Sequence, residues 1–266
     1  MIQKFREVLF NEELEPERTR DALKTLNEQV HHQETADMMI DQGILEIAAE
    51  LLKHDDPEVR EQSALLHGSF ALSGIGRPMF IDFSFENLKE LLEDEDIRVR
   101  EAAAWALYRV SVNQDGCNRL VEGGIPEFMI LSFIGHSEPK DIVYEEAQYL
   151  IHLLEAFVNI TFSDGGIETL LGRDAIKQFN KLIGEDLTQQ KLQDKFPKVA
   201  ELCLRAIGNM SINHEGKEEC IEHKIIATSF VYLALSDERS YADALNTSLI
   251  LMSTSIHLEG KNQIVD

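Results

Sequence analysis

One phrase occurs twice at a spacing of forty residues, in phase and with no gap in the match. Residues 50–81, ELLKHDDPEVREQSALLHGSFALSGIGRPMFI, lie in register on residues 90–121, ELLEDEDIRVREAAAWALYRVSVNQDGCNRLV. The match places Leu51 on Leu91, Val59 on Val99, Arg60 on Arg100, Ala64 on Ala104 and Gly76 on Gly116. A period of this length is the signature of stacked supersecondary units, because one unit alone cannot bury its apolar face. The closing phrase of the period recurs as NITFSDGGIETLL (159–171), NMSINHEGKEECI (209–221) and STSIHLEGKNQIV (253–265), punctuated by Gly166, Gly216 and Gly260. An earlier version, LNEQVHHQETADMMIDQG (26–43), carries Glu34 in the glycine slot. The chain therefore reads as one solenoid over 1–266 of about six units, at 1–42, 43–82, 83–122, 123–172, 173–222 and 223–266.

The units are helical. Val99, Ala102, Ala103, Ala106, Leu107 and Val110 fall three to four residues apart, the spacing of one face of an α-helix, and long β-branched alternation is missing. Pro16, Pro57, Pro139 and Pro197 stand where a long helix begins, a position at which a proline loses no hydrogen bond, and Pro126 opens a second helix in the same way. The units differ in length. Gly124 to Asn159 and Asp174 to Asn209 each span 35 residues, against 26 from Gly43 to Ser69. The excess predicts an extended long helix after Pro139 and a polar loop, GEDLTQQKLQDKF, before Pro197.

Composition narrows the function classes. With 48 acidic and 25 basic residues the net charge is −23, which argues against tracking nucleic-acid phosphates and for basic protein surfaces as partners. MIQKFREVLF interleaves charge with apolar side chains, so it reads as neither signal peptide nor membrane span. Cys117, Cys203 and Cys220 are too few and too scattered for a disulfide framework, which fits a reducing compartment.

Candidate chemical sites are sparse. His214-Glu215 stands alone as a His-Glu pair and reads as a loop near a helix start; Cys220 and His223 have no second ligand pair nearby. His31-His32 reads as solvated loop. SGIGRP follows a helix and lacks the lysine of a phosphate loop. No residue stands in a nucleophile motif. The expectation is a non-catalytic chain with no cofactor and no metal. The acidic runs NEELEPE (11–17) and EDEDIRVRE (93–101) read as solvated helix starts.

A short helix, a glycine-led second helix (GILEIAAELL, GGIPEFMILSFI), a loop and a long third helix resemble the armadillo repeat family over nearly the whole chain. The resemblance implies an all-α, right-handed solenoid of three-helix units with the third helices lining a concave face. In armadillo proteins that import nuclear cargo, that face carries ladders of Trp and Asn that hold a basic peptide. The matching pairs here are Leu23/Asn27, Leu65/Ser69, Trp105/Arg109, Glu155/Asn159, Arg205/Asn209 and Leu249/Ser253. One tryptophan and three asparagines remain, and Arg109 would repel an inserted lysine. By this resemblance the partner-binding candidates are Asn27, Trp105, Arg109, Glu155, Asn159, Arg205 and Asn209. The phrases TRDALKTLNEQV, GIGRPMF and HEGKEECIEHKIIATSFVYLALSD are further similar to the armadillo proteins of axonemal radial spokes. That likeness implies a structural subunit of the ciliary axoneme whose partners are other radial spoke or axonemal proteins. A soluble adaptor for basic peptides is the other reading.

Overall fold

The computed structural model describes residues 2–10, 15–71, 76–137, 143–184, 196–234 and 241–265. Among them are 17 helices and no strand. Their contacts gather into two compact units, residues 1–129 and 130–266.

The first unit begins with α1 (Ile2–Leu9) and the long α2 (Pro16–Gln29). Then come short α3 (Gln33–Asp41) and α4 (Ile44–Leu51), long α5 (Pro57–Phe70), α6 (Gly76–Leu91), long α7 (Ile97–Ser111), short α8 (Gln114–Glu122) and the start of α9 (Ile125–His136), within which the boundary falls. The long helices pack as neighbours, α2 on α5 and α5 on α7. Pro57 occupies the first turn of α5, and Asp56 caps it by accepting from the amides of Glu58 (2.8 Å) and Val59 (3.2 Å). Leu23, Leu26, Leu45, Val59, Leu66 and Phe70 are fully buried between these layers, so apolar burial holds them together.

The second unit repeats the scheme with α10 (Tyr144–Ile160), α11 (Asp164–Leu171), α12 (Ala175–Gly184), α13 (Pro197–Met210), α14 (His214–Glu222), α15 (Ile225–Ala234), α16 (Tyr241–Thr254) and α17 (Leu258–Val265). Here α13 lies between α10 and α16. Phe133, Phe157 and Phe179 meet edge to face or tilted, with ring centroids 5.2 to 6.0 Å apart, and form the aromatic centre of this core.

Several local expectations change. The turn from first to second helix needs a left-handed residue, supplied by Gly43 (φ 70°) and Gly124 (φ 67°), but also by Asp174 (φ 54°) and Lys224 (φ 59°). At 76–91 no residue breaks the chain, and first and second helices merge into the single α6. The predicted extension after Pro139 is not a proline-led helix: α10 starts at Tyr144 with Val143 as its N-cap, and Pro139 itself lies outside the described residues. The polar loop before Pro197 lies almost wholly outside them too. Gly116, Gly166, Gly216 and Gly260 sit inside the first turn of a short helix, not ahead of it. A Cβ on any of them would collide with the carbonyl oxygen six residues earlier, that of Val110, Ile160, Met210 and Thr254 respectively. In the earlier phrase the third residue of the short helix, where those glycines stand, is Thr35 and not Glu34.

Candidate binding surface of the third helices

Counting from the first residue of each long helix, positions nine and thirteen are Leu65 and Ser69 on α5, Trp105 and Arg109 on α7, Arg205 and Asn209 on α13, and Leu249 and Ser253 on α16. On α10, which is two or three residues longer than these, Glu155 and Asn159 hold the corresponding places near the C-terminal end. One site residue falls elsewhere. In α2, whose first residue is Pro16, positions nine and thirteen are Lys24 and Glu28, while Asn27 is the twelfth residue, level with Gly68 and Gly208. That position faces the next long helix. Asn27 Nδ2 accordingly donates to the carbonyl of Gln62 (2.9 Å) and to its side-chain oxygen (3.2 Å).

Trp105 and Arg109 lie one turn apart and touch, with the guanidinium carbon 5.0 Å from the ring centre. The indole spreads over Gly68 of α5, where a Cβ would collide with ring carbons Cε3 and Cζ3. Both side chains are half-buried. Burial lowers the Arg109 pKa from its ordinary value, and its Nε has no hydrogen-bond partner among the described residues. The pair thus presents a desolvated cation on an aromatic plate that is seated in the neighbouring helix.

In the second unit, Glu155 stands 3.4 Å from His152 Nδ1 on the same helix. Asn159 is half-buried one turn further on. Asn209 Nδ2 donates to Thr161 Oγ1, the C-cap residue of α10 (2.9 Å). Ser253 Oγ donates to the carbonyl of Ser211, the C-cap of α13. Arg205 is exposed. Of the seven candidates, then, Trp105 and Arg109 touch each other, and Asn27 and Asn209 bind residues of neighbouring helices.

The repeat contains a polar device that reading for solvated helix starts passes over. Arg60 makes a two-pronged contact with Asp94, through Nε (2.8 Å) and Nη2 (2.9 Å), and its Nη1 donates to the carbonyls of His54 and Asp55. Arg100, one period later, repeats the inward half, donating to the carbonyl of Asp94 (2.7 Å). Two successive acidic loops are thereby clamped by planar guanidinium groups. The signal was present in the in-register arginines following HDDP and EDED.

The candidates for chemistry stay apart. His214 is exposed and 3.6 Å from Glu218, and Cys220 is buried, which pushes its thiol pKa up. Among the described residues no group of three or more His, Cys, Asp or Glu side chains could hold a metal ion. No helix among them is long and apolar enough to cross a membrane.

Comparison places this geometry. A HEAT repeat family model matches residues 85–113, the second half of α6 with α7 and its C-terminal turn. A designed armadillo repeat protein superposes with a TM-score of 0.76 at 16% identity, covering 96% of this chain and all of its own. A set of computationally designed armadillo repeat proteins for modular peptide recognition gives 0.77 at 18%, over 95% and 99% of the two chains. The fold is an armadillo repeat solenoid. A further designed armadillo protein, solved in complex with the peptide (KR)4, gives 0.76 at 18% identity over 95% and 99%. At such identities the likeness is one of fold, and among curated proteins none matches the sequence. An armadillo solenoid is a scaffold suited to protein–protein contacts. Of the ladder positions, Trp105 holds the single tryptophan of the chain and Asn209 is turned to a contact between layers, as is Asn27 one position before the ladder.

Proposed function

We propose that this protein is a non-catalytic armadillo scaffold that works as a single solenoid over 1–266 and serves as a structural subunit of the ciliary or flagellar radial spoke. The observation that carries the scaffold reading is that Trp105 is seated on Gly68 and Asn209 is bonded to Thr161, while Asn27, one position before the ladder, is bonded to Gln62, contacts that stiffen the stack. The placement in the axoneme rests on the phrase resemblance to armadillo proteins of radial spokes. Partners are other spoke or axonemal proteins with basic surfaces, drawn by the net charge of −23. The partner-facing candidates are Trp105 and Arg109 in the first unit and Glu155, Asn159 and Arg205 in the second, with Asn27 and Asn209 engaged between the layers of their own units.

Fractionation of ciliated cells expressing the tagged protein tests the placement. Retention on detergent-resistant axonemes, with release by chaotrope together with spoke subunits, is the expected result. A detergent-soluble pool that co-purifies with an import receptor would replace this reading with the basic-peptide adaptor. Partner capture by a Trp105→Ala, Arg109→Ala double variant tests the partner-facing set, and unchanged capture would remove those two residues from it.

A further inference from the structure

Each long helix of the second unit ends in the same way: a buried C-cap residue or its neighbour, then one large apolar side chain turned to solvent, then the next short helix. The exposed residues are Phe162 after α10, Ile212 after α13 and Ile256 after α16, with relative exposures of 64%, 61% and 80%. Three such side chains at one structural position are a repeated feature, not scattered surface apolarity. In the first unit Val112, after α7, is exposed at the same place.

Hydrogen bonds between the layers flank these side chains. Asn209 ties α13 to the C-cap of α10, and Ser253 ties α16 to that of α13, each bond lying within a few residues of an exposed side chain. The backbone amides of Phe162 and Ile212 donate to the carbonyls of Asn159 (3.2 Å) and Asn209 (3.4 Å). Polar side chains beside the first two are also occupied. Ser163 Oγ accepts from Gly166, Asn213 Oδ1 from Glu215, and Lys217 Nζ donates to the carbonyl of Ile212. Asp164, Glu215 and Glu259, two to three residues beyond each apolar side chain, are exposed.

A surface of spaced apolar side chains and carboxylates, with the Lys217 ammonium committed to the Ile212 carbonyl, offers acceptors but few donors and so cannot pair both the N–H and C=O groups of an extended peptide. A helix satisfies its own. Packed helices lie about 8–10 Å apart, close to the ~10.5 Å that seven helical residues rise. We infer that the row Phe162, Ile212, Ile256 docks a basic amphipathic helix of a partner protein, with apolar residues at i, i+7 and i+14 on the rungs and Lys or Arg beside them facing Asp164, Glu215 and Glu259. This surface is separate from positions nine and thirteen, so it stands or falls independently of the partner-facing set above.

The test is titration of the full chain with a fluorescent alanine-rich helical peptide carrying Leu at i, i+7 and i+14 flanked by Lys, followed by anisotropy. Saturable binding that weakens with added salt, and that falls at least about tenfold in a Phe162→Ser, Ile212→Ser variant, is the expected result. These side chains are exposed, so the variant's melting temperature should match the parent's; if it does not, Ile256→Ser alone serves. Equal binding by the variant overturns the proposal, as does equal or tighter binding of a proline-interrupted peptide of the same composition, or no binding at all. Concentration-dependent dimerisation that the variant abolishes would assign the row to a second copy of this chain instead.

Discussion

The indole of Trp105 lies on Gly68 with no room for a methyl group between them. Gly68 is fully buried in α5, and the Cα of Ala106 also closes on it, at 3.0 Å from where a Cβ would be. A Gly68→Ala substitution therefore overpacks the α5–α7 interface and should cost about 1–3 kcal/mol, despite the better helix propensity of alanine. In a Trp105→Leu background the same change should cost markedly less. Chemical denaturation of the four proteins of this cycle measures the coupling, and additive costs would show that the ring yields freely.

The glycine column at the first turn of the short helices makes a sharper contrast, because there the obstacle is backbone. Gly216→Ala and Gly166→Ala drive a Cβ into the carbonyls of Met210 and Ile160, which cannot rotate away, and should destabilise by about 2 kcal/mol or more. Gly135 in α9 meets nothing within 4 Å. Its replacement by alanine should stabilise by about 0.5–1 kcal/mol through the unfolded chain. Urea midpoints of the three variants check the opposite signs.

Asp174 and Lys224 occupy the left-handed turn that Gly43 and Gly124 occupy elsewhere. A side chain in that conformation costs about 1 kcal/mol, so Lys224→Gly and Asp174→Gly should each raise stability by up to that amount. Thermal melts showing both variants less stable than the parent would mean that the side chains contribute contacts outweighing the strain.

Two desolvated groups give pH dependences of opposite sign. His67 is fully buried with Nδ1 2.7 Å from the carbonyl of Ser63, and burial pushes its pKa down to about 4 from 6.5. The unfolded chain binds the extra proton, so stability is lost as pH falls from about 6.5 through 4, by up to about 3 kcal/mol. Glu219, its Oε2 buried without a partner among the described residues, is pushed up to about 7 by burial and then by Asp174, Glu222 and Glu215. Here the folded chain holds the proton, and stability falls as pH rises from about 4.5 through 7. Glu219 is part-exposed, so solvent screening reduces that loss to on the order of 1 kcal/mol. Unfolding free energies of His67→Gln and Glu219→Gln relative to the parent, measured from pH 4 to 8, should diverge in opposite directions.

The fold was legible because repetition and helical spacing are properties of residue order. In-register Val59 and Val99 set the period, Pro16, Pro57 and Pro197 mark the starts of long helices, and a buried stripe needs apolar residues every three to four positions wherever it lies. Trp105 and Arg109 on one face followed from the same geometry. Asn27 did not: its apolar neighbours align as well one residue away, and only the start of α2 at Pro16 turns it to Gln62.

Residue order by itself determined an all-helical repeat chain, the approximate place of each long helix, and an acidic surface. What tertiary structure decided were the relations between layers: Trp105 lying on Gly68, Arg60 reaching Asp94, Asn209 spent on Thr161, and Phe162, Ile212 and Ile256 left exposed. The reason is physical. Periodicity specifies which face of a helix is apolar, but the partner of a given side chain lies some forty residues away, and a shift of one residue in the neighbouring helix turns that partner through about 100°. Packing selects the register, and with it which side chains are used to hold the stack and which are left to meet another molecule.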